Sequence, residues 1–367
     1  MKSNAAILHA SPGRWSIESV DLADPGPGEI LVRMHYAGLC HSDLHQSKGE
    51  IPPDTFPWCG GHEGSGVVEG VGADIRGVSE GDHVALSFIP SCGTCRWCCA
   101  GMQNLCDSGA TIMNMNQDRS PMRLDGKPVG QCAMIGAFSE RVVVPIESAV
   151  KIPDDTPMGP AALVSCGVPT GWGSAVNGAN VVAGDVVIVM GVGGIGMNAV
   201  QGARFVGASH VLAVDPVQLK RDVALKLGAT HAFATIEEAT DVARSLTNGQ
   251  GADSAIVSVG VIDGNDVAAA FSAIRKAGTV VVTALGYMTT TGIPVNLAEL
   301  TLYQKRIQGA LYGMMSPRGA IPRLLELYKS GDLHLDELIT REYSLNEINE
   351  AYDDLGDGKL VRGVIRF

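Results

Sequence analysis

The chain has 367 residues, which suits two domains, and its 46% hydrophobic and 18% charged content excludes a disordered chain. A formal net charge of −12, with no cluster of Lys or Arg, excludes a nucleic-acid partner and leaves small anions, which backbone N–H groups can hold, as the charged ligands to expect. No window approaches the ~20 apolar residues that cross a bilayer, and the opening MKSNAAILHA has no long apolar stretch with a cleavage site, so a cytoplasmic protein with no membrane partner is expected. The nine cysteines are odd in number and clustered, which points to metal binding over disulfides.

In chain order, the first ~160 residues read as a β-rich domain. Strand-like runs at Glu29–His35, Gly66–Val71, His83–Ser87 and Phe138–Pro145 lie between Gly and Pro turns. Near Val168 the pattern changes. Asp185–Met190 is a continuous apolar run, as in a parallel strand buried on both faces, and a helix is expected from Ile195 to about Gly207. A strand at His210–Asp215, a helix carrying Lys220–Leu227, and apolar runs at Ser254–Val259 and Gly278–Leu285 continue a doubly wound pattern. Helices are expected at Arg318–Ser330 and Leu345–Leu355. A closing strand, Leu360–Phe367, should return to the first domain. There is no internal repeat and no low-complexity linker.

Gly191-Val-Gly193-Gly194-Ile195-Gly196 sits directly after the apolar strand and opens the next helix. In that setting the first glycine permits the tight turn, Gly193 lets the backbone approach a pyrophosphate, and Gly196 lets helix and strand pack closely. The helix N-terminus offers unpaired N–H donors to phosphate. Asp215 lies 19 residues beyond Gly196, at the end of the next strand. A carboxylate there accepts hydrogen bonds from ribose hydroxyls and repels a 2′-phosphate, which favours NAD over NADP; Lys220 could also reach the ribose.

Cys92, Cys95, Cys98 and Cys106 have the spacing C-x2-C-x2-C-x7-C. Four thiolates on one loop close a tetrahedral zinc shell with no open position, so the ion would be structural. An iron–sulfur cluster fits less well, because the C-x3-C-P ending of bacterial ferredoxins is missing. Spacing alone selects Cys98 over its neighbour Cys99. For Cys99, Cys59 and Cys132 the plain reading is a small buried thiol.

Three further segments stand out: Cys40-His41-Ser42-Asp43-Leu44-His45, Gly61-His62-Glu63-Gly64, and Leu163–Gly167 with Cys166. Together with the four-cysteine lobe, GVGGIG and the closing GKLVRGVIRF at Gly358–Phe367, they run in order through nearly the whole chain. In this the sequence resembles the alcohol dehydrogenase branch of the zinc-containing medium-chain dehydrogenase/reductase family. The resemblance implies an α/β protein with a β-rich GroES-like catalytic domain (1–167 and 311–367) and a doubly wound Rossmann domain (168–310). It implies two zinc ions per chain and NAD.

By that resemblance Cys40, His62 and Cys166 bind the catalytic zinc and leave a fourth position open, Glu63 sits behind the metal, and Asp43 accepts from His62. Zinc lowers the pKa of a bound alcohol, hydride passes to nicotinamide, and the proton leaves through Ser42, the nicotinamide ribose and His45 near solvent. His41 and Arg362 would lie near the pyrophosphate; for Arg362 the alternative is a surface charge on an edge strand. Phe88, Ile51, Cys132, Tyr287 and Leu311 would line an apolar channel for a primary alcohol or aldehyde. The long segment Ala110–Ala137 resembles that of dimeric members, so a homodimer through the Rossmann sheets is expected.

Rival readings remain at this point. One is a subgroup that never releases its NAD and passes electrons to a separate acceptor. Another is a glutathione-adduct formaldehyde dehydrogenase, against which the lack of a basic pocket argues. A third is a non-catalytic dinucleotide-binding protein, which should have lost some of Cys40, His62, Cys166, Ser42 and His45.

Overall fold

A computed structural model describes residues 1–112 and 119–367. The chain groups into two compact units: Met1–Cys166 with Ser316–Gly331 and Leu335–Phe367, and Gly167–Met315 with Asp332–His334. The segment Ala110–Ala137, from which a dimer was expected, includes residues 113–118, which lie outside the described residues.

The first unit is built on two sheets. In one, the strand Lys2–Leu8 pairs antiparallel with Ser16–Leu22, which in turn pairs with Met122–Leu124. This N-terminal pair is absent from the sequence reading, where MKSNAAILHA looked merely mixed. Its alternation is short and runs straight into the wholly buried stretch Ala5–Leu8.

The other sheet centres on the ten-residue strand Glu29–Gly38. Its first half pairs with Arg141–Pro145, its last residues pair with the closing strand Arg362–Arg366, and its other edge takes Gly64–Val71. The closing strand and Gly64, which follows His62 and Glu63 in sequence, therefore flank the same residue, Ala37, on opposite sides. Arg362–Arg366 is an interior strand, flanked on its far side by Ile339–Tyr343, so the reading of Arg362 as an edge-strand surface charge does not hold. The core of this unit holds Trp15, Phe138 and Tyr352. Trp15 meets Phe138 edge-on at 5.7 Å between ring centroids and stacks on Tyr352 at 6.2 Å.

The helix expected over Leu345–Leu355 divides. Leu345–Glu347 is a 3-10 turn capped by Ser344 and Glu347, and the α-helix runs over Ile348–Gly356. Asp354 on this helix accepts from the Tyr343 hydroxyl at 2.8 Å, Arg341 at 3.0 Å and Lys359 at 3.0 Å, which fixes the helix against the strand Ile339–Tyr343.

The second unit carries a six-stranded sheet whose pairs are all parallel. Its order is His231–Phe233, His210–Val214, Val186–Met190, Ala252–Val257, Ile274–Val282, Arg306–Gly309. Numbered within the unit this is 3-2-1-4-5-6, the doubly wound order, whose direction reverses between Val186–Met190 and Ala252–Val257. Ligands in such sheets bind beyond the carboxyl ends of the strands at that reversal, where Gly191–Gly196 lies. Among the described residues, no helix is long and apolar enough to cross a membrane.

Candidate active site

The first group of site residues is assembled around one short helix. Cys40 is extended (φ −115°, ψ 147°) and caps the helix His41–Lys48, which ends at Gly49 in the left-handed region (φ 79°). The helix buries Asp43, Leu44, His45 and Ser47. Asp43 is fully enclosed and receives the Gly61 N–H at 2.8 Å, while its other oxygen lies 3.1 Å from His62 Nδ1. A buried carboxylate thus stands against the ring that precedes the strand Gly64–Val71. Cys166 arrives from the other side. The helix Met158–Leu163 ends just before it, and the Ser165 hydroxyl donates to the Gly64 carbonyl at 3.1 Å.

The ligand atoms of Cys40, His62, Glu63 and Cys166 all lie within 4.8 Å of one another, and all four residues are buried. Burial works against a charged His62, but Asp43, Cys166 and Cys40 outweigh it and raise the imidazole well above its ordinary value. The hydrogen bond with Cys166 holds the Cys40 thiol well below its usual range, with His62 and Arg362 adding to the effect, and the same bond with burial pushes Cys166 well above it. Two soft thiols and an imidazole converging in a buried pocket suit a zinc ion with a fourth position free. Glu63 faces this group and is paired with the buried guanidinium of Arg362. One Glu63 oxygen, Oε1, and Arg362 Nε are enclosed without a hydrogen-bond partner.

Ser42 Oγ lies 3.6 Å from Cys40 Sγ. His45 is not near solvent as expected: it is 6% exposed, because it falls on the buried side of its helix. Its Nδ1 is hydrogen-bonded to Glu50, a residue the sequence reading missed. The rings of His41 and His45, one turn apart, are 6.2 Å apart. Phe88 stands edge-on to the His62 ring at 5.5 Å. The Cys132 sulfur gathers with Asp43 and His62 within 4.8 Å, and accepts from Gln46 at 3.6 Å. Ile51 is half-buried in this unit, whereas Tyr287 and Leu311 are exposed residues of the second unit.

The four lobe cysteines also converge, with their sulfurs within 4.8 Å of one another. Cys92 and Cys98 are 3.9 Å apart and Cys95 and Cys106 are 4.0 Å apart. A regular tetrahedron with Zn–S of about 2.3 Å has an edge of about 3.8 Å, so the spacing fits a closed zinc shell. Backbone and side-chain donors of Thr94, with the Cys95 N–H, lower the Cys92 thiol to about 6, whereas burial pushes Cys98 up to about 12. Cys99 is exposed, not buried as expected, and its sulfur turns toward the Gly93 and Thr94 carbonyls, outside the set.

In the second unit, Gly191 has φ +84° and a Cβ there would lie 2.8 Å from the Ser258 carbonyl oxygen. A Cβ on Gly196 would lie 2.0 Å from the Gly191 oxygen, but one on Gly193 would meet nothing within 4 Å. Two glycines are therefore required by the fold, and the third opens a space over the N-terminus of the helix Gly194–Phe205, which has no side-chain cap. That opening is where an anionic pyrophosphate fits. Gly193→Ala is expected to leave thermal stability near the parent value while lowering dinucleotide affinity about tenfold or more. Gly196→Ala should lose on the order of 2 kcal/mol of stability. Thermal unfolding with a dinucleotide titration checks both; equal destabilisation by the two would refute the distinction.

Asp215 ends the neighbouring strand, 5% exposed, and its carboxylate accepts the N–H groups of Val192 at 3.0 Å and Val217 at 2.9 Å. It ties the glycine loop to the turn that follows. Lys220 is half-buried on the helix Gln218–Lys226, and beside it Arg221 donates to the Asp215 carbonyl at 2.6 Å.

Comparison with known proteins agrees with this geometry. Residues 26–154 match the alcohol dehydrogenase GroES-like domain family and residues 194–330 the zinc-binding dehydrogenase family. The chain is 50% identical over 367 residues to the putative alcohol dehydrogenase D of Mycobacterium tuberculosis, covering 100% of both chains. It is 48% identical to the NDMA-dependent alcohol dehydrogenase of Amycolatopsis methanolica, over 100% of this chain and 99% of that one. Among solved structures, an alcohol dehydrogenase zinc-binding domain protein from Burkholderia ambifaria superposes with a TM-score of 0.93 at 31% identity, over 100% of this chain and 99% of that one.

Proposed function

The chain belongs to the zinc-containing, medium-chain alcohol dehydrogenase family and is a zinc-dependent alcohol dehydrogenase, and from that premise we propose that it oxidises primary alcohols with apolar tails at Cys40, His62 and Cys166, with NAD as hydride acceptor. The observation that carries this reading is the buried convergence of those three side chains beside Glu63. A zinc ion held there supplies a Lewis acid for the alcohol oxygen, and the nicotinamide supplies the hydride acceptor. The protein's own part is to orient and to move a proton. Asp43 sets the His62 ring, Phe88 walls it, Ser42 takes the alcohol proton, and His45 passes it outward. Cys92, Cys95, Cys98 and Cys106 hold the second zinc.

Gly191, Gly193, Gly194, Ile195 and Gly196 receive the pyrophosphate. Asp215 selects NAD over NADP by its carboxylate, and Lys220 meets the ribose. Exposed apolar side chains of the second unit support a homodimer: Met288, Leu297 and Leu302 are 78%, 72% and 75% exposed.

A second reading is favoured by the relative named for NDMA dependence: NAD stays bound and a separate acceptor reoxidises it. Excess primary alcohol added to the protein without NAD distinguishes the two. Silence until NAD is supplied, then continuous formation of reduced nicotinamide, supports exchangeable cofactor. A rise of about one equivalent per chain that stops supports the retained one. Silence under both conditions across several alcohols overturns the proposed activity.

A further inference from the structure

The helix His41–Lys48 ends in a way that returns the chain onto one of its own side chains. Gly49 adopts φ 79°, and the N–H groups of Glu50 and Ile51 both bond the His45 carbonyl, at 3.0 and 3.2 Å. This turn brings the Glu50 carboxylate to His45 Nδ1. The His45 side chain is 8% exposed and that of Glu50 is 27% exposed, so the carboxylate stands between a buried imidazole and water.

We infer that Glu50 is a positioning residue for proton removal, acting through His45; this rests on the relay role proposed above for His45. An imidazole that donates Nδ1–H to a carboxylate keeps its Nε2 lone pair, so the ring presents an acceptor on its other side. When Nε2 takes up the alcohol proton the ring becomes a cation, and the adjacent carboxylate offsets the cost of that charge in a buried place. The alcohol oxygen gives its proton to the Ser42 hydroxyl, and the relay delivers one proton to Nε2, so the charge balances without a proton passing to Glu50.

Two measurements test the inference. In protein labelled with 15N-histidine, with no alcohol present, the parent should show His45 protonated at Nδ1, and Glu50→Ala should shift the ring toward a mixture of tautomers. In single-turnover kinetics, Glu50→Ala should slow the formation of reduced nicotinamide about 10- to 100-fold with alcohol affinity and zinc content unchanged, yet add nothing in a His45→Ala background. An unchanged tautomer, a parent-like rate, or an equal loss with and without His45 overturns the assignment of Glu50. A parent-like rate for His45→Ala itself instead overturns the relay reading on which the inference stands.

Discussion

His62→Ala is expected to lower kcat/KM for alcohol oxidation by at least about 10³, or about 4 kcal/mol of transition-state stabilisation, and to cut bound zinc from two ions per chain to one. Two effects combine. The imidazole is the nitrogen donor of the set it forms with Cys40, Glu63 and Cys166, so its loss removes the open-site geometry. Its removal also leaves the Asp43 carboxylate, fully enclosed, facing a gap where its imidazole partner stood. Metal analysis and steady-state kinetics on one preparation check the result. A variant that kept both zinc ions and parent-like turnover would show that the chemistry lies elsewhere.

The second large effect separates two neighbours in sequence. Cys98→Ala should lose the other zinc ion and loosen the lobe, whereas Cys99→Ala should keep both ions and lie within about 0.5 kcal/mol of the parent. The Cys98 sulfur lies 3.9 Å from that of Cys92 inside the four-sulfur set, while Cys99 is exposed and points to backbone carbonyls. The lobe between Cys92 and Cys106 has only one α-helical turn, Arg96–Cys99, and a 3-10 turn, Gln103–Leu105. Zinc shells contribute about 10–16 kcal/mol to small modules of this kind, so loss of one thiolate should expose the lobe to proteases. Zinc content and limited proteolysis of the two variants report the outcome. Loss of zinc from Cys99→Ala instead would reverse the ligand choice.

These contrasts show where sequence patterns speak and where they stop. The glycine loop was legible because its spacing follows from backbone contacts: a Cβ at Gly191 or Gly196 collides with main chain, so only glycine serves. The four-thiol lobe was legible because its ligands are local. The apolar run at Asp185–Met190 was read within a residue of its strand, Val186–Met190, since a strand buried on both faces needs continuous hydrophobics.

Other features depended on long-range packing. The expected run Gly278–Leu285 belongs to a strand that starts earlier, at Ile274, and passes through Arg275, Lys276 and an Ala277 at φ 58°. Polar residues and a backbone irregularity hide such a start. The family resemblance put His45 near solvent; burial of the helix side that carries Leu44 and Ser47 encloses it. Glu50 gave no signal at all, because its partnership with His45 depends on the left-handed Gly49 and on the turn that follows. The pairing of Arg362 with Glu63 joins residues 299 positions apart, beyond any local pattern.

The reading stands on two zinc ions in two distinct side-chain sets, and anomalous scattering at the zinc edge from a crystal of the zinc-loaded protein reports on both. Two peaks per chain are expected, one bonded to Cys92, Cys95, Cys98 and Cys106 and one bonded to Cys40, His62 and Cys166. A chain fully loaded with zinc that shows no peak among Cys40, His62 and Cys166 would contradict it.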